Sequence, residues 1–190
     1  MTHRADDPAP PLLLDACVVL NLYASRQMSH ILRSLERACL VADAVQAEAL
    51  YVEHGGAGDD ARERELVDLA SLIAGGDLSV VRAESSDEYQ AYTDFALALD
   101  DGEALTLALA EQRGYVVATD DRTARRVAAG RIPLLSTLDL VRHWIDHTAV
   151  SEARARETLV AIRQRARYLP GRDHPLQAWW EQIVTSIAAE

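Results

Sequence analysis

Short apolar runs alternating with helix-like segments are the feature that most constrains this fold. Residues 12–14, 78–81, 115–119 and 133–136 are mainly apolar and too short for helices. Such runs are typical of strands buried on both faces of a sheet. Their alternation with helices predicts an α/β fold: three α/β/α layers around a short, mainly parallel central sheet, with a C-terminal helical extension.

The segments between these runs have the periodicity of helices. Helices are predicted over residues 18–22, 31–40, 42–52, 62–73, 89–99, 103–112, 122–129 and 176–188, and from 138 to a break at 169–172. The Pro-rich residues 1–11 are predicted to be a disordered leader.

The charge balance excludes several classes of protein. The chain has 190 residues, of which 49% are hydrophobic, with a net charge of −11, and all 19 cations are arginine. The absence of lysine excludes Schiff-base chemistry, P-loop nucleotide binding and a receiver-type phosphoacceptor site. The acidity argues against a protein that coats nucleic acid, so any contact with nucleic acid must be local.

Cysteine content and hydropathy indicate the compartment. Cys17 and Cys39 lie among apolar residues and are predicted to be buried, reduced thiols. The N-terminus has no signal-peptide pattern, and no apolar run approaches the roughly 18 residues of a membrane span. We expect a cytoplasmic protein that does not contact a membrane.

Acidic residues occur where strands end and helices begin. The carboxyl ends of parallel strands meet at one edge of the sheet, where ligands bind in open α/β folds. We therefore expect a convergent acidic site drawn from four segments. Its candidate members are Asp15, Glu48, Asp101, Glu103, Asp120 and Asp121.

Carboxylates without histidine or cysteine suit hard cations, Mg²⁺ or Mn²⁺, which can promote phosphodiester hydrolysis. A structural interpretation stays open for each acid. Asp15, Asp121 and either Asp100 or Asp101 stand at helix N-cap positions, and Glu103 follows Asp100 at capping-box spacing. Glu48 has the alternative role of a plain helix-face residue.

Four segments together resemble the PIN domain, the ribonuclease fold of VapC-type toxins. They are LLLDACVVLNL, VADAVQAEAL, LDDGEALTLALA, and VVATDDRTARRVA followed by IPLLSTLDLV. They occur in the family's order and cover residues 12–146, with residues 147–190 left as the helical extension. The best match is to a subgroup of uncharacterised nucleic-acid-binding PIN proteins, often encoded beside a small partner.

The resemblance implies a metal-dependent endoribonuclease, the toxin of a toxin–antitoxin pair. It implies catalytic roles for Asp15, Glu48, Glu103 and Asp121. It implies a Mg²⁺ or Mn²⁺ site formed by Asp15, Asp101, Glu103, Asp120 and Asp121. It also implies a homodimer and a small antitoxin. One departure is that Ala16-Cys17 replaces the usual Thr-Asn. Thr119 or Ser136 is a candidate to supply the missing hydroxyl.

Positive charge is concentrated behind the fourth motif. Residues 122–172 contain eleven arginines and four acids, a net charge of +7 against −18 elsewhere. Arginines beside an acidic metal site are what cleavage of a polyanion requires, and Arg122, Arg125 and Arg126 are the candidate RNA contacts. The alternative is a solvated helix face with i,i+4 ion pairs.

The main functional hypothesis is a ribonuclease. The competing hypothesis is a PIN-like module that binds RNA or protein without cleaving. A purely capping role for the acids is third. Phosphatases of the haloacid dehalogenase type are excluded because Cys17 stands where their second aspartate is required.

Overall fold

The centre of the fold is a five-stranded sheet in which every strand pairs in parallel with its neighbours. The computed structural model describes residues 8–48, 50–54 and 63–185, so most of the predicted leader lies outside the described residues. The strands are β1 (Leu12–Leu14), β2 (Cys39–Ala42), β5 (Ser79–Val81), β6 (Val116–Ala118) and β7 (Leu134–Leu135), in the order β5-β2-β1-β6-β7. The predicted α/β fold with a parallel sheet is confirmed.

Helices connect the strands and cover the sheet. They are α1 (Ala16–Ala24), α2 (Met28–Ser34), α3 (Asp43–Ala47), α4 (Leu69–Ala74), α5 (Ser86–Phe95), α6 (Asp101–Arg113), α7 (Arg122–Ala128), α8 (Thr137–His147), α9 (Glu152–Arg165) and α10 (Gln177–Thr185). Leu12, Leu13 and Leu14 of the central strand have no exposed surface. The central strand is therefore buried on both faces, as its apolar run predicted, whereas the edge strands β5 and β7 are partly exposed.

Strand β2 corrects the sequence prediction, which assigned residues 31–40 and 42–52 to helices. All four β2 residues are buried, between β1 and β5. A fully buried strand has no apolar–polar alternation, so periodicity cannot distinguish it from a buried helix. The helices in this region are short: α2 ends at Ser34 and α3 at Ala47.

A second correction concerns the predicted helix over residues 62–73. Its first part is strand β4 (Glu63–Leu66), which pairs antiparallel with β3 (Tyr51–His54), and α4 begins only at Leu69. Glu48 is the C-cap of α3, in extended conformation, and not a helix-face residue. Residues 55–62, which include the glycine-rich stretch between the helices predicted over 42–52 and 62–73, lie outside the described residues.

The C-terminal helices pack on the core. Leu159 and Ile162 of α9 have no exposed surface, and α9 contacts α1, β3 and α10. Arg165 forms an ion pair with Glu65 of β4, and Arg167 forms one with Glu53 of β3. Trp144 and Trp180 are buried core residues. Within the described residues, no helix has the length and apolar content needed to cross a membrane.

Candidate metal centre

Asp15 lies at the centre of the candidate site, directly after β1. Its side chain caps α1 by accepting a hydrogen bond from the Ala16 N–H to Oδ1 at 2.7 Å. The residue is only 2% exposed. Burial raises the pKa of Asp15, although hydrogen bonds from Thr119 and Cys17 act in the opposite direction.

Two side chains connect Asp15 to the turn after β6. Thr119 Oγ1 donates to Asp15 Oδ2 at 2.6 Å and accepts the Asp121 N–H at 3.1 Å. Cys17 Sγ donates to the same Oδ2 at 3.3 Å and accepts the Asp120 N–H at 3.3 Å. Of the two predicted hydroxyls, Thr119 therefore lies beside Asp15. Ser136 instead caps α8 in a capping box with Asp139.

Asp100 and Asp121 cap the helices before and after β6, which are α6 and α7. Asp121 Oδ1 accepts the Thr123 and Ala124 N–H groups at 2.7 and 2.8 Å at the start of α7. Asp100 accepts the Glu103 N–H at 2.9 Å at the start of α6. The predicted N-cap roles of Asp15, Asp121 and, of the two alternatives, Asp100 are therefore confirmed. They do not exclude a metal site, because each carboxylate has further lone pairs.

The side chain of Glu48, at the end of α3, reaches the first turn of α6. A Cβ atom placed on Gly102 would lie 2.3 Å from Glu48 Oε1. The absence of a side chain at residue 102 is therefore what admits the Glu48 carboxylate. Partial desolvation of its carboxylate, and then the negative charges of Asp100 and Asp15, raise the pKa of Glu48.

Glu103 is repelled by three neighbouring carboxylates. Burial, and then the charges of Asp100, Asp121 and Asp15, raise its pKa to about 7. Asp15, Glu48, Asp100, Glu103 and Asp121 thus repel one another across four chain segments, and we call these five residues the acidic cluster. Proton uptake or a bound cation would relieve the repulsion.

The two remaining predicted acids have partners outside the acidic cluster. The Asp101 carboxylate accepts a hydrogen bond from Tyr92 at 2.8 Å. Asp120 accepts hydrogen bonds from Asn21 at 3.0 Å, from the Thr137 hydroxyl and from Tyr168 at 3.5 Å. Burial raises the pKa of Asp120, against the donors on Asn21 and Thr137. Its carboxylate thus joins α1, α8 and the segment after α9.

Sequence reasoning missed four residues of this region. Asp100 could have been recognised, since the capping-box spacing already placed it at the start of α6. Asn21, Thr137 and Tyr168 had no comparable signal. They lie 99, 17 and 48 residues from Asp120, and single-chain patterns do not report such long-range contacts.

The three candidate RNA-binding arginines have different environments. Arg125 donates to the carbonyl oxygens of Thr119 and Leu135 at 2.8 and 3.1 Å, so it bridges the ends of β6 and β7. Arg122 and Arg126 are exposed and have no hydrogen bond or ion pair to any described residue. Other arginines of the basic stretch are paired internally: Arg131, Arg142, Arg165 and Arg167 with acids, and Arg154 with Gln27.

The donor set fits a hard divalent cation, because it consists of carboxylate oxygens from several segments. As arranged in the described residues, no three His, Cys, Asp or Glu side chains stand close enough to hold a metal ion. Glu48 is exposed and Glu103 half-buried, and both have several rotatable bonds. Two pockets of about 670 and 610 Å³ contain none of these acids, so the acidic cluster is separate from both.

Comparison with protein families gives the class of this parallel α/β domain. A family model described as DUF3368, PIN domain, matches residues 12–172. The chain belongs to the PIN-domain family, whose members are generally nucleases and typically use divalent metal ions. No curated protein matches the chain. The family match includes α9, whereas the domain boundary predicted at residue 146 remains a prediction.

Proposed function

We propose that this protein is a Mg²⁺- or Mn²⁺-dependent endoribonuclease whose cation is held by the acidic cluster. One observation carries the proposal: burial, and then the charges of Asp100, Asp121 and Asp15 from three chain segments, raise the pKa of Glu103 to about 7. The burial and repulsion behind this shift destabilise the apo protein, and strongly shifted pKa values cluster at functional sites. Asp15, Glu48, Glu103 and Asp121 are the proposed catalytic residues.

Each part of the cluster has a distinct role in this proposal. A bound divalent cation would activate water and stabilise the leaving oxyanion of a phosphodiester. Asp15 and Asp121 hold their positions through the capped ends of α1 and α7. Glu48 and Glu103 are free to adjust around the ion. Asp101 and Asp120 are proposed as auxiliary groups that position their neighbours.

The proposal is tested by incubating the purified protein with single-stranded and structured RNA in Mn²⁺, in Mg²⁺ and in EDTA. We expect cleavage with either metal and none in EDTA. Cleavage that persists in EDTA would point to a contaminating nuclease or to a metal-free mechanism, and would contradict the proposal.

A non-catalytic binding module is the second candidate. It is favoured by the three hydrogen bonds that Asp15 already accepts. It is also favoured because, among the described residues, no three potential ligand side chains lie close enough together to hold a metal ion. This candidate predicts RNA binding without cleavage in every metal. The incubation above therefore distinguishes the two.

Exposed arginines are proposed to hold the RNA backbone. Replacing Arg122 and Arg126 with alanine should weaken RNA binding and lower the slope of its salt dependence by about 0.7–0.9 for each phosphate that the variant no longer neutralises. Binding is measured by fluorescence anisotropy in EDTA, where cleavage does not interfere. Arg125→Ala is the matched control, because the Arg125 guanidinium already donates to two carbonyl groups of the protein. It should lower the free energy of unfolding by about 1–2 kcal/mol, because two carbonyl groups lose their donor.

Gly102 provides a test of the role of Glu48. In Gly102→Ala the new methyl group displaces the Glu48 carboxylate, so we expect cleavage to fall about tenfold or more. Stability should stay within about 1 kcal/mol of the wild type, because alanine favours helix. Gly114→Ala is the control for a changed glycine elsewhere on α6: it strains a positive-φ position, and so should lower stability without changing the activity of folded protein. Equal activity of Gly102→Ala and wild type would contradict a role for Glu48.

The resemblance to VapC-type toxins extends the proposal to the biological role. We propose that the protein acts as a homodimeric toxin neutralised by a small antitoxin. Expression of the wild-type chain alone should then arrest growth. An equally expressed Asp15→Asn chain should not. Arrest by both chains would contradict toxicity through RNA cleavage.

A further inference from the structure

The geometry between β1 and β6 points to a role for Cys17, and we propose that it is a positioning residue of the acidic cluster. Its thiol fixes Asp15 relative to the turn that carries Asp120 and Asp121. The inference rests on the proposed function for its catalytic meaning, while the contacts that carry it belong to the metal-free protein.

The thiol is a donor and an acceptor at the same time. A carboxylate accepts hydrogen bonds, so the 3.3 Å contact between Cys17 Sγ and Asp15 Oδ2 requires the thiol to donate. The sulfur lone pairs then accept the Asp120 N–H, also at 3.3 Å. A single side chain therefore joins the start of α1 to a backbone amide 103 residues later.

Thr119 forms a parallel connection one residue further along the turn. Its hydroxyl donates to the same Asp15 Oδ2 and accepts the Asp121 N–H. The sulfur and the hydroxyl oxygen are 3.7 Å apart. Two consecutive amides of the turn are thus each held by a side chain that also donates to Asp15.

These connections determine which oxygen of the Asp15 carboxylate has a lone pair available for a cation. Oδ2 receives two donors, while Oδ1 receives one, from Ala16. One lone pair of Oδ1 is left for a cation. Without the thiol, Oδ2 loses one donor and the Asp120 amide loses its partner, so the carboxylate is held less firmly. Groups that orient metal ligands in this way typically change metal affinity or activity by about 10–100-fold when removed.

The test compares Cys17→Ala, which removes both hydrogen bonds, with Cys17→Ser, which keeps a donor and an acceptor. Cys39→Ala is the matched control, because Cys39 is also a free cysteine and lies on β2, in contact with the Arg37 carbonyl group. Cys17→Val replaces Cys17→Ala if the alanine variant does not fold. Thermal unfolding checks each protein.

Two measurements are made on the full chain without RNA: Mn²⁺ binding by electron paramagnetic resonance, and hydrogen exchange of the Asp120 amide by NMR. We expect Cys17→Ala to weaken Mn²⁺ binding about tenfold and to speed Asp120 exchange about tenfold or more. Cys17→Ser should stay within about threefold of the wild type, and Cys39→Ala should match it. This rescue by serine is not expected of a residue that only fills space.

Failure of the inference and failure of the proposed function have different signatures. If the wild-type protein binds no Mn²⁺, the proposed function fails, and Asp120 exchange alone then decides the role of Cys17. Unchanged Asp120 exchange in Cys17→Ala overturns the inference even if the protein cleaves RNA. So does a Cys17→Ser variant that behaves like Cys17→Ala.

Discussion

Asp15→Asn is expected to reduce Mn²⁺-dependent RNA cleavage by at least about a hundredfold while leaving the fold intact. Asp15 interacts with both Glu48 and Glu103 and connects to the turn before Asp121, so its charge is central to the acidic cluster. Asparagine keeps the size of the side chain but removes the charge that a divalent cation requires. The measurement is the initial rate of cleavage at saturating RNA and fixed Mn²⁺.

The stability of this variant provides the control. Because burial already raises the pKa of Asp15, loss of its charge removes a repulsive group from the apo protein. Asparagine also replaces one acceptor oxygen with an NH2 group beside the donors on Thr119 and Cys17, which offsets part of this gain. We therefore expect the melting temperature of metal-free Asp15→Asn to stay within about 5 °C of that of the wild type. An Asp101→Asn variant, altered in an acid that pairs with Tyr92, should lose much less activity. Equal loss in both variants would contradict the assignment of the central ligand.

Mn²⁺ is expected to stabilise the protein strongly at pH 7.5 and only weakly at pH 5.5. At about a hundredfold excess over its dissociation constant, a cation contributes about 2.7 kcal/mol, or about 5–10 °C in melting temperature for a chain of this size. At pH 5.5 the cluster binds protons in competition with the metal, because the pKa of Glu103 is about 7. Differential scanning fluorimetry with and without EDTA measures the shift.

The metal-free protein should show the opposite dependence on pH. The pKa of Glu103 rises from 4.5 to about 7 on folding, so the folded state binds a proton between these values that the unfolded chain does not. The free energy of unfolding contributed by this group therefore falls as pH rises from about 4.5 to 7, and then levels off. Glu103→Gln should flatten this slope in urea unfolding. A slope unchanged in Glu103→Gln would contradict the coupling.

The elements predicted well from sequence are those whose signals are local. Residues 12–14 followed by Asp15 predicted a buried strand and a helix cap, and both are present. The helix predicted over 103–112 corresponds to α6, which ends at Arg113 with Gly114 as its left-handed C-cap. Strand β2 was missed because burial of all four residues removes the alternation that identifies a strand.

The candidate site also has features that local sequence signals predicted and features that they did not. The positions of the acids at strand ends indicated which edge of the sheet to consider. Asp100 and Asp101 are adjacent at the start of α6, and their order in the sequence does not show which one lies near Asp15. In the structure Asp100 does, whereas Asp101 accepts a hydrogen bond from Tyr92. The partners of Asp120 come from α1, α8 and the segment after α9, and no local pattern connects them.

The contacts that build the site have a consequence for how the chain folds. Thr119 reaches Asp15 across 104 residues, Asn21 reaches Thr137 across 116, and Arg165 reaches the Ala24 carbonyl across 141. Each contact closes a long loop, and the entropy of closure is lost before the contact contributes. A topology dominated by such pairings folds slowly for its size. We therefore expect the acidic cluster to form in the global folding transition and not as a local unit beforehand.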